Sequence, residues 1–264
     1  MFRAKSLTLS LLVLSVCSVS IAQDTGDLKI TFKYRGKPHK QQLIMMPVGG
    51  PAFCGNGKML DESLIVNPKN NGIKNVVVYV YTGRRGVLLP PQQPKKNIQT
   101  VANKNCLFEP RIAVTQVGDT LRATNPDPIG HNFNIPFFNN PAVNINLPPG
   151  KKEDLVLGIA EPAPIPFECN IHPWMSGYVL VLDHPYAAIS NEDGELIIKN
   201  LPLGKMVFRA WHEVGTFKSQ IFVDGKQDKW RLNKFEVNIK KGLNEFGMVE
   251  VPANQFAPKV VAAN

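Results

Sequence analysis

The chain has 264 residues, of which 44% are hydrophobic, with 22 prolines and 20 glycines. That composition suits one large or two modest globular domains and excludes a disordered polymer; short Val, Ile and Phe runs between so many turn formers favour strands over long helices. The formal charge of +9 is spread over pairs such as Lys95-Lys96, Lys151-Lys152 and Lys240-Lys241 with no interleaved aromatic stripe, which argues against nucleic acid as a partner and leaves a mild attraction to acidic surfaces.

Residues 1–22 read as a secretory signal: Arg3 and Lys5, an apolar run from Leu7 to Val16, then Ser20-Ile21-Ala22. The run is too short to persist as a bilayer span, so the mature chain is expected to have no transmembrane segment and to be periplasmic or otherwise exported. Lipid attachment at Cys17 stays open as the weaker alternative, because bulky Val16 stands where such motifs prefer a small residue.

Next, Leu28, Ile30, Phe32 and Tyr34 alternate with polar residues, the period of a half-buried strand. Residues 35–75 hold turn material, including Cys54-Gly55-Asn56-Gly57. The run Val76 to Tyr81 is β-branched and aromatic throughout and predicts a central strand buried on both faces. Pro-rich Leu89 to Lys96 predicts a surface excursion. Leu121 to Asn125 reads as a strand ending in Pro126-Asp127-Pro128, with His131 just beyond the turn. Leu155 to Leu157 reads as another, Pro166 to Cys169 brings a thiol out at a strand end, and Tyr178 to Leu182 closes the unit.

Once the signal is removed, three cysteines remain: Cys54, Cys106 and Cys169. An odd count in an oxidising compartment leaves one thiol to explain. If Cys169 holds a metal, Cys54 and Cys106 are free to pair, closing a loop of about 52 residues that contributes on the order of 4 kcal/mol in the chain-entropy treatment. Two reduced buried thiols are the alternative.

The metal reading rests on Cys169, His172 and Met175, which recur at intervals of three, and on His131 upstream in Gly130-His131-Asn132. A soft thiolate, two imidazoles and a weak thioether suit a trigonal copper ion with an axial sulfur, whereas structural zinc wants four firm ligands. The competing reading is a Cys and a Met packing a core.

The order Asn125-x5-His131-Asn132, then Pro149-Gly150, then Phe167-x-Cys169-x2-His172-Pro173-x-Met175-x-Gly177 before a Val-rich strand resembles the cupredoxins, most nearly the amicyanins. The plastocyanins are similar but carry more residues between the last His and Met. The resemblance implies a Greek-key β-sandwich with one type 1 copper, ligated by His131, Cys169, His172 and Met175. Asn132 would tie the upstream ligand loop to the downstream one, its plainer alternative being a turn Asn. Motifs cover residues 100–183, and the strands at 27–34 and 76–81 are expected to complete that sandwich within a domain spanning 23–183. The Cys54-bearing insertion departs from the family pattern. The resemblance also makes His172 the electron port, provided its ring edge reaches the surface.

The remaining histidines, His39, His184 and His212, form no second ligand cluster of the kind a copper oxidase or nitrite reductase needs, so no catalysis is expected. His184 reads as a linker residue and His212 as a partly buried strand-end residue.

Past Asp183-His184-Pro185, residues 187–198 read as strand, tight turn, strand, and Leu201-Pro202-Leu203-Gly204 as a further turn before a strand ending Trp211-His212. This is similar to the regulatory-like, transthyretin-like β-sandwich of carboxypeptidases and implies a second, smaller module over 184–252, with a frayed tail at 253–264. The fold class expected is therefore all-β: two sandwiches in series. The function expected is exported electron transfer with a dehydrogenase or cytochrome as redox partner. The alternatives are a copper carrier or sensor, and an adhesion or carbohydrate-binding β protein whose copper site is secondary.

Overall fold

A computed structural model of the chain describes residues 24–44, 52–55, 59–93, 95–218 and 220–257. The signal segment, Cys17 and the last seven residues of the tail lie outside the described residues. The chain is all-β, built as two sandwiches of two sheets each.

The first sandwich packs a five-stranded sheet against a four-stranded one. Its larger sheet runs, in spatial order, Ile112–Gln116, Ser176–Leu182, Ile165–Glu168, His131–Ile135 and Val143–Leu147; the smaller runs Leu107–Glu109, Ile98–Lys104, Thr120–Thr124 and Lys152–Val156. Alternation along these strands turns Leu121, Ala123, Phe133, Ile135, Phe167, Val179 and Val181 into one shared core. Three of its aromatic rings, Phe108, Phe133 and Phe167, meet with centroids 5.0–5.6 Å apart. Gly177 is required here, because a Cβ would run into the Phe167 ring and the Arg111 carbonyl.

The second sandwich corrects the expected extent of the first domain at its N-terminal side, where the strands at 27–34 and 76–81 were expected to complete the first sandwich. The strand Thr25–Arg35 lies between Glu195–Pro202, antiparallel, and Gly242–Pro252, parallel. Val77–Val80, buried at every position, lies between Ala187–Ile189 and Gly204–Trp211. Both early strands therefore complete the C-terminal sandwich and not the sandwich of the cysteine and histidine motifs. The reason is that strand period specifies which face is buried and leaves the hydrogen-bonding neighbour undetermined. Leu28, Ile30, Phe32, Val78 and Val80 share their core with Phe208, Phe217, Trp230 and Val249.

The turn at 191–194 likewise joins two sheets instead of closing a hairpin, since Ala187–Ile189 and Glu195–Pro202 pair with different early strands. Gly194, at φ +77°, sits so near the Phe32 carbonyl that any side chain would collide with it. Residues 253–257, expected to fray, are also anchored: Phe256 is buried against Tyr34 and His212, and the Ala257 amide donates to the Val214 carbonyl at 2.9 Å.

The two sandwiches share a third cluster, in which Val77 and Tyr79 meet Ile112, Leu180 and Leu182. Beside it Arg111 makes a two-point pair with Glu213, its Nη2 lying 2.9 Å from Oε2, with both side chains almost fully buried.

Candidate metal centre

At one end of the first sandwich, the strand Ile165–Glu168 stops immediately before Cys169 and the strand His131–Ile135 begins at His131, three places from the Asn134–Glu168 pair that joins these neighbours. The chain then makes a compact loop. The Cys169 carbonyl accepts the His172 amide at 3.2 Å, the His172 carbonyl accepts the Met175 amide at 2.9 Å, and the Met175 carbonyl accepts the Cys169 amide at 3.2 Å. A spacing of three is what this turn needs to return Cys169 and His172 to one side.

The thiol of Cys169 and a ring nitrogen from each of His131 and His172 lie within 4.8 Å of one another. The two Nδ1 atoms are 2.9 Å apart, and the Cys169 sulfur is 3.7 Å from His172 Nδ1. All three residues are buried, Cys169 is a free thiol, and Met175 is wholly buried in the same loop. Burial is the main reason both histidines are held below the ordinary imidazole pKa. The Asp127 carboxylate opposes that effect at each ring, while the neighbouring His131 reinforces it at His172. Neutral rings keep a lone pair, which is the state that ligates metal. The donor set therefore fits a borderline-soft ion such as copper.

Asn132 links the loop of His131 to the loop of Cys169 and His172. Its amide donates to the Cys169 sulfur at 3.4 Å, its side-chain oxygen accepts the Asn170 amide at 2.6 Å, and its side-chain nitrogen donates to Asn144 at 2.6 Å. Cys54 and Cys106 are joined by a disulfide with Cα atoms 5.6 Å apart. This bond pins the insertion to the sandwich beside the centre.

Two residues with a part in the centre escaped the sequence reading. Asp127, read only as part of a turn, accepts the Asn105 and Cys106 amides at 2.7 and 2.9 Å and meets His131 Nε2 at 3.0 Å. Trp174 donates Nε1–H to the Cys106 carbonyl at 3.1 Å, and its ring lies 5.1 Å from that of His172. A carboxylate four residues before a candidate ligand histidine was the available signal for Asp127, but the flanking prolines made the turn the simpler account.

The expected port is corrected. His172 is only 1% exposed, and the surface on either side of it belongs to Ile171 and Pro173. His184 lies in the link between Ser176–Leu182 and Ala187–Ile189, as expected, and is buried there, with Nε2 2.9 Å from the Val80 carbonyl and Nδ1 accepting the Tyr186 amide at 3.1 Å. His212 is buried near the Arg111–Glu213 pair. Among the described residues, the only other ligand-like group is Cys106, Asp127 and His131, whose cysteine is already in the disulfide.

Solved structures similar to this chain include a purple cupredoxin from Nitrosopumilus maritimus, at 23% identity and TM-score 0.26 over 31% of this chain and 97% of that one. A copper-containing nitrite reductase from Thermus scotoductus is similar at 22% identity and TM-score 0.29, over 39% of this chain and 25% of that one. An amicyanin variant in its reduced form is similar at 20% identity and TM-score 0.29, over 34% of this chain and 86% of that one. No protein-family model and no curated protein sequence matches the chain.

Proposed function

We propose that this chain is an exported electron-transfer protein holding one type 1 copper through His131, Cys169, His172 and Met175, with no substrate chemistry of its own. The observation that carries the reading is the convergence of one free thiol and two imidazoles in a buried cluster. Bound copper would supply a one-electron Cu(I)/Cu(II) couple. The protein's part is to hold the thiol and both rings in place, exclude water, and keep the geometry fixed between oxidation states through the Asn132 bridge. The disulfide supports an oxidising compartment, and the redox partner proposed is a dehydrogenase or cytochrome.

Copper(II) added to the metal-free protein should give an intense visible thiolate-to-copper band and a type 1 paramagnetic signal, both abolished in Cys169→Ser. A colourless complex would overturn the reading. The burial of His172 favours a second reading, copper carriage without fast exchange, because the ring that would pass electrons is covered. A slow self-exchange rate in a blue protein would select it.

A further inference from the structure

The Asp127 carboxylate is 4% exposed and uses both oxygens: Oδ1 accepts the Asn105 amide, while Oδ2 accepts the Cys106 amide and faces His131 Nε2. Among the described residues, His131 is its one ion-pair contact. A carboxylate only accepts, so Nε2 of His131 must carry the proton, and Nδ1 is left as the lone pair that points at His172. The Asn125 side chain fixes the turn from inside. It accepts the Asp127 amide at 3.0 Å and donates to the Ile129 and Leu147 carbonyls at 2.8 and 2.7 Å.

We infer that Asp127 is the positioning residue of this centre, fixing which nitrogen of His131 faces the ligand cluster and, as a buried charge without a lysine or arginine partner, favouring the oxidised state of bound copper. This rests on the copper reading above. A thiolate with Cu(II) carries one more positive charge than with Cu(I), and a negative charge one imidazole away in a poorly solvated site stabilises the more positive state. Asparagine at 127 keeps the shape but removes the charge, and it turns an N–H toward one of the amides that now donates.

Two measurements on the full chain test this separately. In the metal-free protein, nitrogen NMR of the imidazoles should show His131 protonated on Nε2, and Asp127→Ala should populate the other tautomer. In the copper-loaded protein, Asp127→Asn should raise the Cu(I)/Cu(II) ratio at a fixed poise at least tenfold, about 59 mV for one electron. A role in folding alone would lower stability and leave the Cu(I)/Cu(II) ratio less than tenfold above that of the parent, which would overturn the inference. Should Asp127→Ala fail to fold, His131 protonated on Nδ1 in the unaltered protein would refute it as firmly. A wild-type protein that binds no blue copper would sink the copper reading while leaving the tautomer test standing.

Discussion

Trp174 donates its indole N–H to the main-chain carbonyl of Cys106, 3.1 Å away, and so joins the loop that carries Cys169 and His172 to one half of the disulfide. Both partners are buried. Trp174→Phe would keep the ring against His172 but leave that carbonyl without its donor, a loss of about 1–3 kcal/mol. Urea unfolding of the metal-free protein should show it as a lower midpoint with an unchanged slope; an unchanged midpoint would mean the bond contributes nothing.

The disulfide gives a prediction that needs no metal. Under denaturing, non-reducing conditions, the metal-free protein lacking residues 1–22 should titrate with one thiol, Cys169. Three thiols would mean that the bridge is absent in solution. Replacing Cys54 and Cys106 together by serine should lower stability by about 4 kcal/mol through the reopened loop. It should also weaken copper retention, because the Cys106 amide and carbonyl hold Asp127 and Trp174.

His212 makes stability pH-dependent. Burial, with the Arg111 charge adding to it, lowers its pKa from 6.5 to about 4, against a hydrogen bond to the Lys74 main chain. The folded state refuses a proton that the unfolded chain takes up, so this contribution is complete above about pH 6.5 and is lost as pH falls toward 4. The full span is worth about 3 kcal/mol. Urea midpoints measured from neutral pH down to about 4 should fall, and His212→Gln should flatten part of the slope. His131, His172 and His184, also lowered, add in the same direction. A slope identical in parent and variant would remove His212 from the account.

Removing residues 184–264 should leave the segments around Thr25–Arg35 and Val77–Val80 unfolded, while every strand of the first sandwich, all between residues 98 and 182, is retained. Thr25–Arg35 would lose both neighbours, Val77–Val80 would lose both of its own, and Arg111 would keep a buried charge without Glu213. Hydrogen exchange over residues 25–35 in the truncated chain should match an unfolded segment. Protection equal to that of the intact protein would contradict the pairing.

The strands and the turn after Cys169 were legible because their signals are local. Alternation at Leu28 to Tyr34 marks a strand, and the three-residue spacing from Cys169 to His172 marks a turn that returns the thiol and the imidazole to one side. What stayed hidden was non-local. Nothing in Val76 to Tyr81 says that its neighbours come from 187–189 and 204–211, and the hydrophobic pattern is satisfied equally well in either sandwich. Asp127 was hidden because its importance lies in three N–H groups supplied by residues 105, 106 and 131. The burial of His172 depends on what packs over the loop, which its own sequence does not encode.

The placement of the first strand has a consequence for synthesis. Thr25–Arg35 emerges early, yet the antiparallel neighbour beginning at Glu195 comes about 160 residues later and the parallel neighbour at Gly242 later still. At roughly 5–20 residues per second the ribosome leaves it unpaired for on the order of ten seconds. An alternating strand with both edges open is a template for other chains, so the first of the described strands to be made is the one that needs shielding longest, and a chaperone that grips residues 25–35 would protect the yield of the whole molecule.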